Sequence, residues 1–120
     1  MDLDGKPVTP RIDDQSLVIA AGDLPEVPFT LETEVQIAPD ANTALEGLYM
    51  SKGMYCTQCE AEGFRKITWY ADRPDVMSIF TVTLRADPAK FPVLLSNGNK
   101  VSEREETVGG KLRRVAVWHD

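Results

Sequence analysis

The chain has 120 residues, of which 42% are hydrophobic and 27% are charged, the balance of an ordinary globular domain. Nineteen acidic residues against thirteen basic ones give a formal net charge of −6, which argues against nucleic-acid binding. No apolar run approaches the ~20 residues that a membrane span needs. Two cysteines do not make a secreted disulfide framework and no signal peptide is present, so we expect a cytoplasmic location.

Short strands separated by turns are predicted along most of the chain. Residues 29–37 alternate apolar and polar side chains and predict a half-buried strand. Residues 77–86 are apolar on both faces and predict a central strand. Turns at Lys52-Gly53 and Gly109-Gly110 predict two hairpins, and residues 62–70 are the only plausible helix. The predicted fold class is all-β, an antiparallel sandwich or saddle of roughly six to eight strands.

Two cysteines in a C-x-x-C spacing, Cys56 and Cys59, raise the question of a thiol site. A structural zinc site needs four ligands, and the chain offers one histidine, His119, besides these thiols. A dithiol redox site is expected at a helix amino terminus after a strand, whereas the surroundings here predict a hairpin. The remaining interpretation is that both cysteines are small side chains that pack on a strand.

An amide and a carboxylate follow the first cysteine. If residues 55–60 are extended, Gln58 and Glu60 lie on one face, since alternate residues of a strand point the same way. Together they form an acceptor cluster with one negative charge, which suits a primary ammonium group. Alternatively, Glu60 pairs with Arg65 or caps the following turn.

Four consecutive blocks of the chain resemble the bacterial aminopeptidase N family, in that family's order and at its spacing. Together they span residues 42–99, about half of the chain. The blocks are residues 42–49 (NTALEGLY), 56–65 (CTQCEAEGFR), 72–76 (DRPDV) and 94–99 (LLSNGN). The resemblance implies that residues 1–120 are an incomplete amino-terminal β domain of a multidomain zinc aminopeptidase, which releases amino-terminal residues from peptides.

The resemblance also implies roles for individual residues. Glu60 would bind the free α-amino group of the substrate, and Gln58 would line the pocket for the first side chain. A non-proline cis peptide bond is implied between Glu60 and Ala61. Arg65 and residues 72–75 would hold this loop in place without contacting the substrate.

The zinc motif of this family, His-Glu-x-x-His, needs two imidazoles, and this chain has only His119. We therefore expect the zinc ligands and all catalytic residues to lie outside the chain, and the 120 residues alone to bind no catalytic metal and to be inactive. The expected partners are peptides with a free amino terminus and the catalytic domain of the same longer chain. Two alternatives remain: a non-enzymatic β-sandwich interaction module, and a thiol or metal module built on Cys56 and Cys59.

Overall fold

A computed structural model describes the whole chain, Met1–Asp120, and contains short antiparallel sheets and no α-helix. The predicted all-β class is confirmed. The strands are β1 Asp2–Leu3, β2 Lys6–Pro7, β3 Arg11–Ile12, β4 Leu17–Val18, β5 Leu31–Glu32, β6 Gly47–Ser51, β7 Met54–Gln58, β8 Thr81–Ala86, β9 Asn99–Val108 and β10 Lys111–His119. Short 3-10 turns lie at Ala21–Asp23, Pro39–Ala41 and Phe64–Lys66. None of the helical segments is long or apolar enough to cross a membrane.

The chain divides into two compact units, Met1–Arg73 and Pro74–Asp120. The first unit contains the sheet β2-β1-β5 and the two-stranded sheets β3-β4 and β6-β7. The predicted hairpin at Lys52-Gly53 is confirmed as β6-β7, with Gly47 opposite Gln58 at its open end. Lys52 and Gly53 both have positive φ, 50° and 79°, which suits a two-residue turn between twisted strands.

Two predictions for the first unit are wrong. Within residues 29–37, only Leu31–Glu32 forms a strand, and it pairs with β1. Alternation of apolar residues defines a face, but a strand also needs a neighbour, and the rest of this segment has none. The predicted helix at residues 62–70 is a single 3-10 turn, Phe64–Lys66. Glu62 has a left-handed φ of 68°, which a right-handed helix cannot contain, and the amide of Gly63 bonds back to Cys59.

The second unit is a three-stranded sheet in the order β8-β10-β9. The predicted hairpin at Gly109-Gly110 is confirmed as β9-β10, and the central strand β10 carries the buried Val115 and Ala116. The prediction of a central strand at residues 77–86 is wrong. Strand β8 begins only at Thr81 and lies at an edge, while Met77 and Ile79 are 89% and 82% exposed.

Candidate functional site

Strand β7 of the hairpin β6-β7 ends at Gln58, and a tight turn follows it. The amide of Gly63 donates to the carbonyl oxygen of Cys59 at 2.9 Å and closes this turn, which carries Glu60. The prediction that residues 55–60 are extended therefore holds only as far as Gln58. The chain bends after Cys59 because its carbonyl bonds back to Gly63 and not across a sheet.

The two predicted site residues nevertheless lie together. Gln58 Nε2 donates to the carbonyl oxygen of Glu60 at 3.0 Å, across the start of the turn. The peptide bond between Glu60 and Ala61 is cis, as the resemblance implied. Because this hydrogen bond uses the amide nitrogen, the amide oxygen of Gln58 remains available as an acceptor.

The Glu60 carboxylate is exposed, and it forms neither an ion pair nor a side-chain hydrogen bond within the chain. The alternative pairing with Arg65 is not observed. Arg65 instead lies 3.6 Å from a carboxylate oxygen of Glu62 and 3.1 Å from one of Asp72. Gln58 and Glu60 are both exposed, so a free carboxylate and an amide oxygen two residues apart can accept hydrogen bonds from a primary ammonium group.

A pair formed by Arg65 and Asp72 braces the segment after the turn. The backbone amide and Nε of Arg65 both donate to Asp72 Oδ2, at 3.0 and 3.1 Å. Arg65 Nη2 also donates to the carbonyl oxygen of Asp72 at 2.7 Å. These contacts engage the guanidinium through two of its nitrogens and hold the 3-10 turn Phe64–Lys66 against residue 72, which agrees with the expected scaffold role of both residues.

Close backbone packing also fixes the turn. An added Cβ on Gly63 would lie 2.5 Å from the carbonyl oxygen of Gln58 and 2.7 Å from Cys59 Cα. Both are backbone atoms and cannot rotate away as a side chain would. Glycine at position 63 is therefore required by space at this turn, where the chain passes close to itself.

The thiols are free and differ from a reactive pair. Burial, reinforced by the negative charge of Asp72, raises the pKa of the Cys59 thiol, whereas reactive cysteines need a lowered pKa. Cys56 lies opposite Tyr49 in the hairpin, and a hydrogen bond between these two side chains raises the pKa of the Tyr49 hydroxyl. No group of three or more histidine, cysteine, aspartate or glutamate side chains in the chain could hold a metal ion.

An open cleft of about 330 Å³ lies in the first unit, and neither Gln58 nor Glu60 lines it. One of its walls is Asn42, whose amide hydrogen bonds close the loop ahead of β6. The sequence placed Asn42 at the end of the predicted strand and at the start of a resembling block, without a role in closing a loop. An asparagine followed by small residues after Pro39-Asp40 is a signal for such a side-chain-closed loop.

Comparison with known proteins identifies the family. Residues 4–116 match the family described as the Peptidase M1 N-terminal domain. The chain belongs to this family. The chain is 50% identical to aminopeptidase N of Caulobacter vibrioides over 98% of the chain's length. It is 54% identical to aminopeptidase N of Escherichia coli over 88% of its length, and 43% identical to that of Haemophilus influenzae over 90%.

The chain spans only 11–13% of the length of these relatives. The resemblance seen in the four sequence blocks is confirmed, and the chain is a domain of the kind that peptidases carry. An unrelated interaction module or an unrelated thiol module does not explain a match that extends over residues 4–116.

Proposed function

We propose that this chain anchors the substrate in a zinc aminopeptidase that releases amino-terminal residues from peptides. The observation that carries the proposal is the Glu60 carboxylate, which is exposed and unpaired on a braced turn next to Gln58. The family match and the aminopeptidase relatives support peptides with a free amino terminus as the substrate class.

Glu60 would act by binding charge. A protonated α-amino group carries three N–H donors and one positive charge, and the Glu60 carboxylate with the Gln58 amide oxygen supplies acceptors and the opposite charge. Holding the ammonium fixes how far the first peptide bond lies from the reacting groups, so that only the first residue is released. A turn held by Gly63 and by the pair of Arg65 and Asp72 keeps this distance constant.

Gln58 would form one wall of the pocket for the first side chain. Its amide nitrogen is held by the carbonyl oxygen of Glu60, so its position is tied to that of the anchor. Substitution of Gln58 by alanine should therefore change the order of preference among Ala, Leu, Arg and Phe substrates more than it changes the overall rate. An unaltered order in steady-state assays with these substrates would contradict this role.

The zinc ion that the resemblance implies does not fit the residues of this chain. The chain has one histidine, His119, and no group of three or more potential metal ligands. We infer that zinc and the catalytic residues belong to other parts of a longer enzyme, and that the 120 residues alone are inactive. The catalytic domain of that enzyme would be the partner of this chain. A cytoplasmic location stays a prediction, in keeping with two free cysteines.

The test replaces Glu60 by glutamine in the full-length peptidase and measures kcat/KM with aminoacyl p-nitroanilides. Loss of a charge-assisted hydrogen bond is worth about 1.5–3 kcal/mol, so kcat/KM should fall roughly 10- to 150-fold. Glu62→Gln is the matched control, because Glu62 lies in the same turn and only approaches Arg65 at 3.6 Å. Wild-type turnover by Glu60→Gln would refute the anchoring role.

A further inference from the structure

The loop of residues 42–46, ahead of β6, is closed by one side chain. Asn42 Nδ2 donates to the carbonyl oxygens of Glu46 and Leu48 at 2.7 and 2.9 Å. Asn42 Oδ1 accepts from the amide of Ala44 at 3.0 Å. Both ends of the half-buried amide are therefore engaged with the backbone of the loop and of β6.

This loop depends on such a closure because its backbone is unusual. Leu45 and Gly47 both have left-handed φ, 58° and 73°. Glycine adopts this conformation freely, but a leucine does so only where the surrounding structure holds it there. The hydrogen bonds of Asn42 reach the carbonyls on either side of Gly47 and supply that restraint.

Gly47 connects the closed loop to the turn that carries Glu60. Its backbone pairs with Gln58, the last residue of β7 before the turn. An added Cβ on Gly47 would lie 2.8 Å from Lys66 Cβ and 3.4 Å from the carbonyl oxygen of Gly63, so Gly47 packs against the segment after the turn. Gly47 thus touches both flanks of the Glu60 turn, and its own position is set by Asn42.

We propose that Asn42 is a positioning residue for the anchoring site. Its side chain holds Gly47 against both flanks of the turn and thereby fixes where the Glu60 carboxylate lies. Asn42 forms its hydrogen bonds with neither Glu60 nor Gln58 and acts only through the backbone between them. The inference rests on the proposed anchoring function of Glu60.

A double-mutant cycle in the full-length peptidase tests the inference. Asn42→Ala should lower kcat/KM for aminoacyl p-nitroanilides about 10-fold, less than the roughly 100-fold that a misplacement of about 1 Å can cost. In the Glu60→Gln background the same substitution should cost less than about 2-fold, because the group that it positions has already been changed. Where Asn42→Ala accumulates poorly, Asn42→Ser, which keeps a hydroxyl group, takes its place.

The control is Asp13→Ala, because the side chain of Asp13 closes a different turn of the chain in a similar way. Asp13 Oδ1 accepts from the amides of Gln15 and Ser16 and from the Ser16 hydroxyl, so this variant also loses a local set of hydrogen bonds. Its kcat/KM should change less than about 2-fold.

Three outcomes separate the inference from the function on which it rests. If Glu60→Gln turns over like the wild type, the anchoring function and the inference both fail. If Glu60→Gln is impaired but Asn42→Ala has no effect, or costs as much in both backgrounds, the positioning role is overturned and anchoring stands. A loss confined to the wild-type background, and absent from Asp13→Ala, supports the role of Asn42.

Discussion

Gly63→Ala perturbs the Glu60 turn at its closing residue. Gly63 has φ −83° and ψ −20°, angles that alanine adopts readily, so the backbone conformation itself costs nothing. The cost is steric. The new methyl group would lie 2.5 Å from the carbonyl oxygen of Gln58 and 2.7 Å from Cys59 Cα, whereas non-bonded carbon contacts are favourable at about 3.5–4.0 Å.

The magnitude follows from the nature of the obstructing atoms. Both belong to the backbone, so relief requires the turn to open and the hydrogen bond from the Gly63 amide to Cys59 to lengthen. Inserting a methyl group into a tightly packed site costs about 1–3 kcal/mol. If this cost falls on local opening, hydrogen exchange of the turn amides should accelerate roughly 5- to 150-fold.

Hydrogen exchange with mass spectrometry of a peptide that covers residues 54–66 measures this change in the full-length peptidase. Gly22→Ala is the matched control, because nothing lies within 4 Å of an added Cβ at Gly22. It should leave this peptide unchanged and stabilise the protein by about 0.4–1 kcal/mol at most. Wild-type exchange in Gly63→Ala would show that the turn accommodates a methyl group, and the steric argument would be wrong.

Two further predictions concern the Cys59 thiol and the second unit. Since burial and the charge of Asp72 raise the pKa of Cys59 above its ordinary 9.0, the stability that this neutral thiol contributes is complete below pH 9 and is lost at higher pH. Cys59→Ala should remove that loss in urea titrations between roughly pH 8 and 11, and an unchanged alkaline profile would contradict the shift. Val115→Ala, at a fully buried position, should cost about 1.5–3 kcal/mol in urea unfolding. Glu106→Gln, which removes exposed ion pairs with Arg85 and Arg104, should lower the free energy of unfolding by less than about 1 kcal/mol. If Glu106→Gln and Val115→Ala cost the same, the expectation that core packing outweighs these ion pairs is wrong.

Local signals explain which parts of the fold could be predicted from the sequence. The turns at Lys52-Gly53 and Gly109-Gly110 contain glycines that adopt positive φ freely, namely Gly53, Gly109 and Gly110, and both hairpins are present. Residues 29–37 and 77–80 carry strand-like patterns without a strand neighbour over most of their length. Pairing depends on distant parts of the chain, which periodicity in a short window does not contain.

The same distinction applies to the site. Gln58 and Glu60 are two residues apart, so almost any local conformation keeps them close, and the structure joins them by a hydrogen bond. The bend at Glu60 depends on the carbonyl of Cys59 bonding to Gly63 and on Arg65 bonding to Asp72, and no strand pattern encodes either contact. The predicted extended strand fails at the residue where these contacts begin.

Asp72 also affects the electrostatic surroundings of Glu60, the proposed anchor. Arg65 is the cation nearest in sequence to Glu60, and Asp72 holds its guanidinium through Nε and Nη2. This engagement leaves the Glu60 carboxylate without an ion pair within the chain, as the proposed anchoring role requires.

Asp72→Asn should loosen Arg65, because it removes the negative charge beside Nε, although the carbonyl oxygen of residue 72 still accepts from Nη2. The loosened guanidinium can then compete with the substrate for Glu60. An exposed ion pair of this kind is worth about 0.2–1 kcal/mol, so KM should rise by up to roughly 5-fold in the full-length peptidase. Removing the competitor in the double variant Asp72→Asn/Arg65→Gln should return KM toward the wild-type value. If the double variant is impaired as much as Asp72→Asn or more, the aspartate acts only as a brace, and competition by Arg65 is refuted.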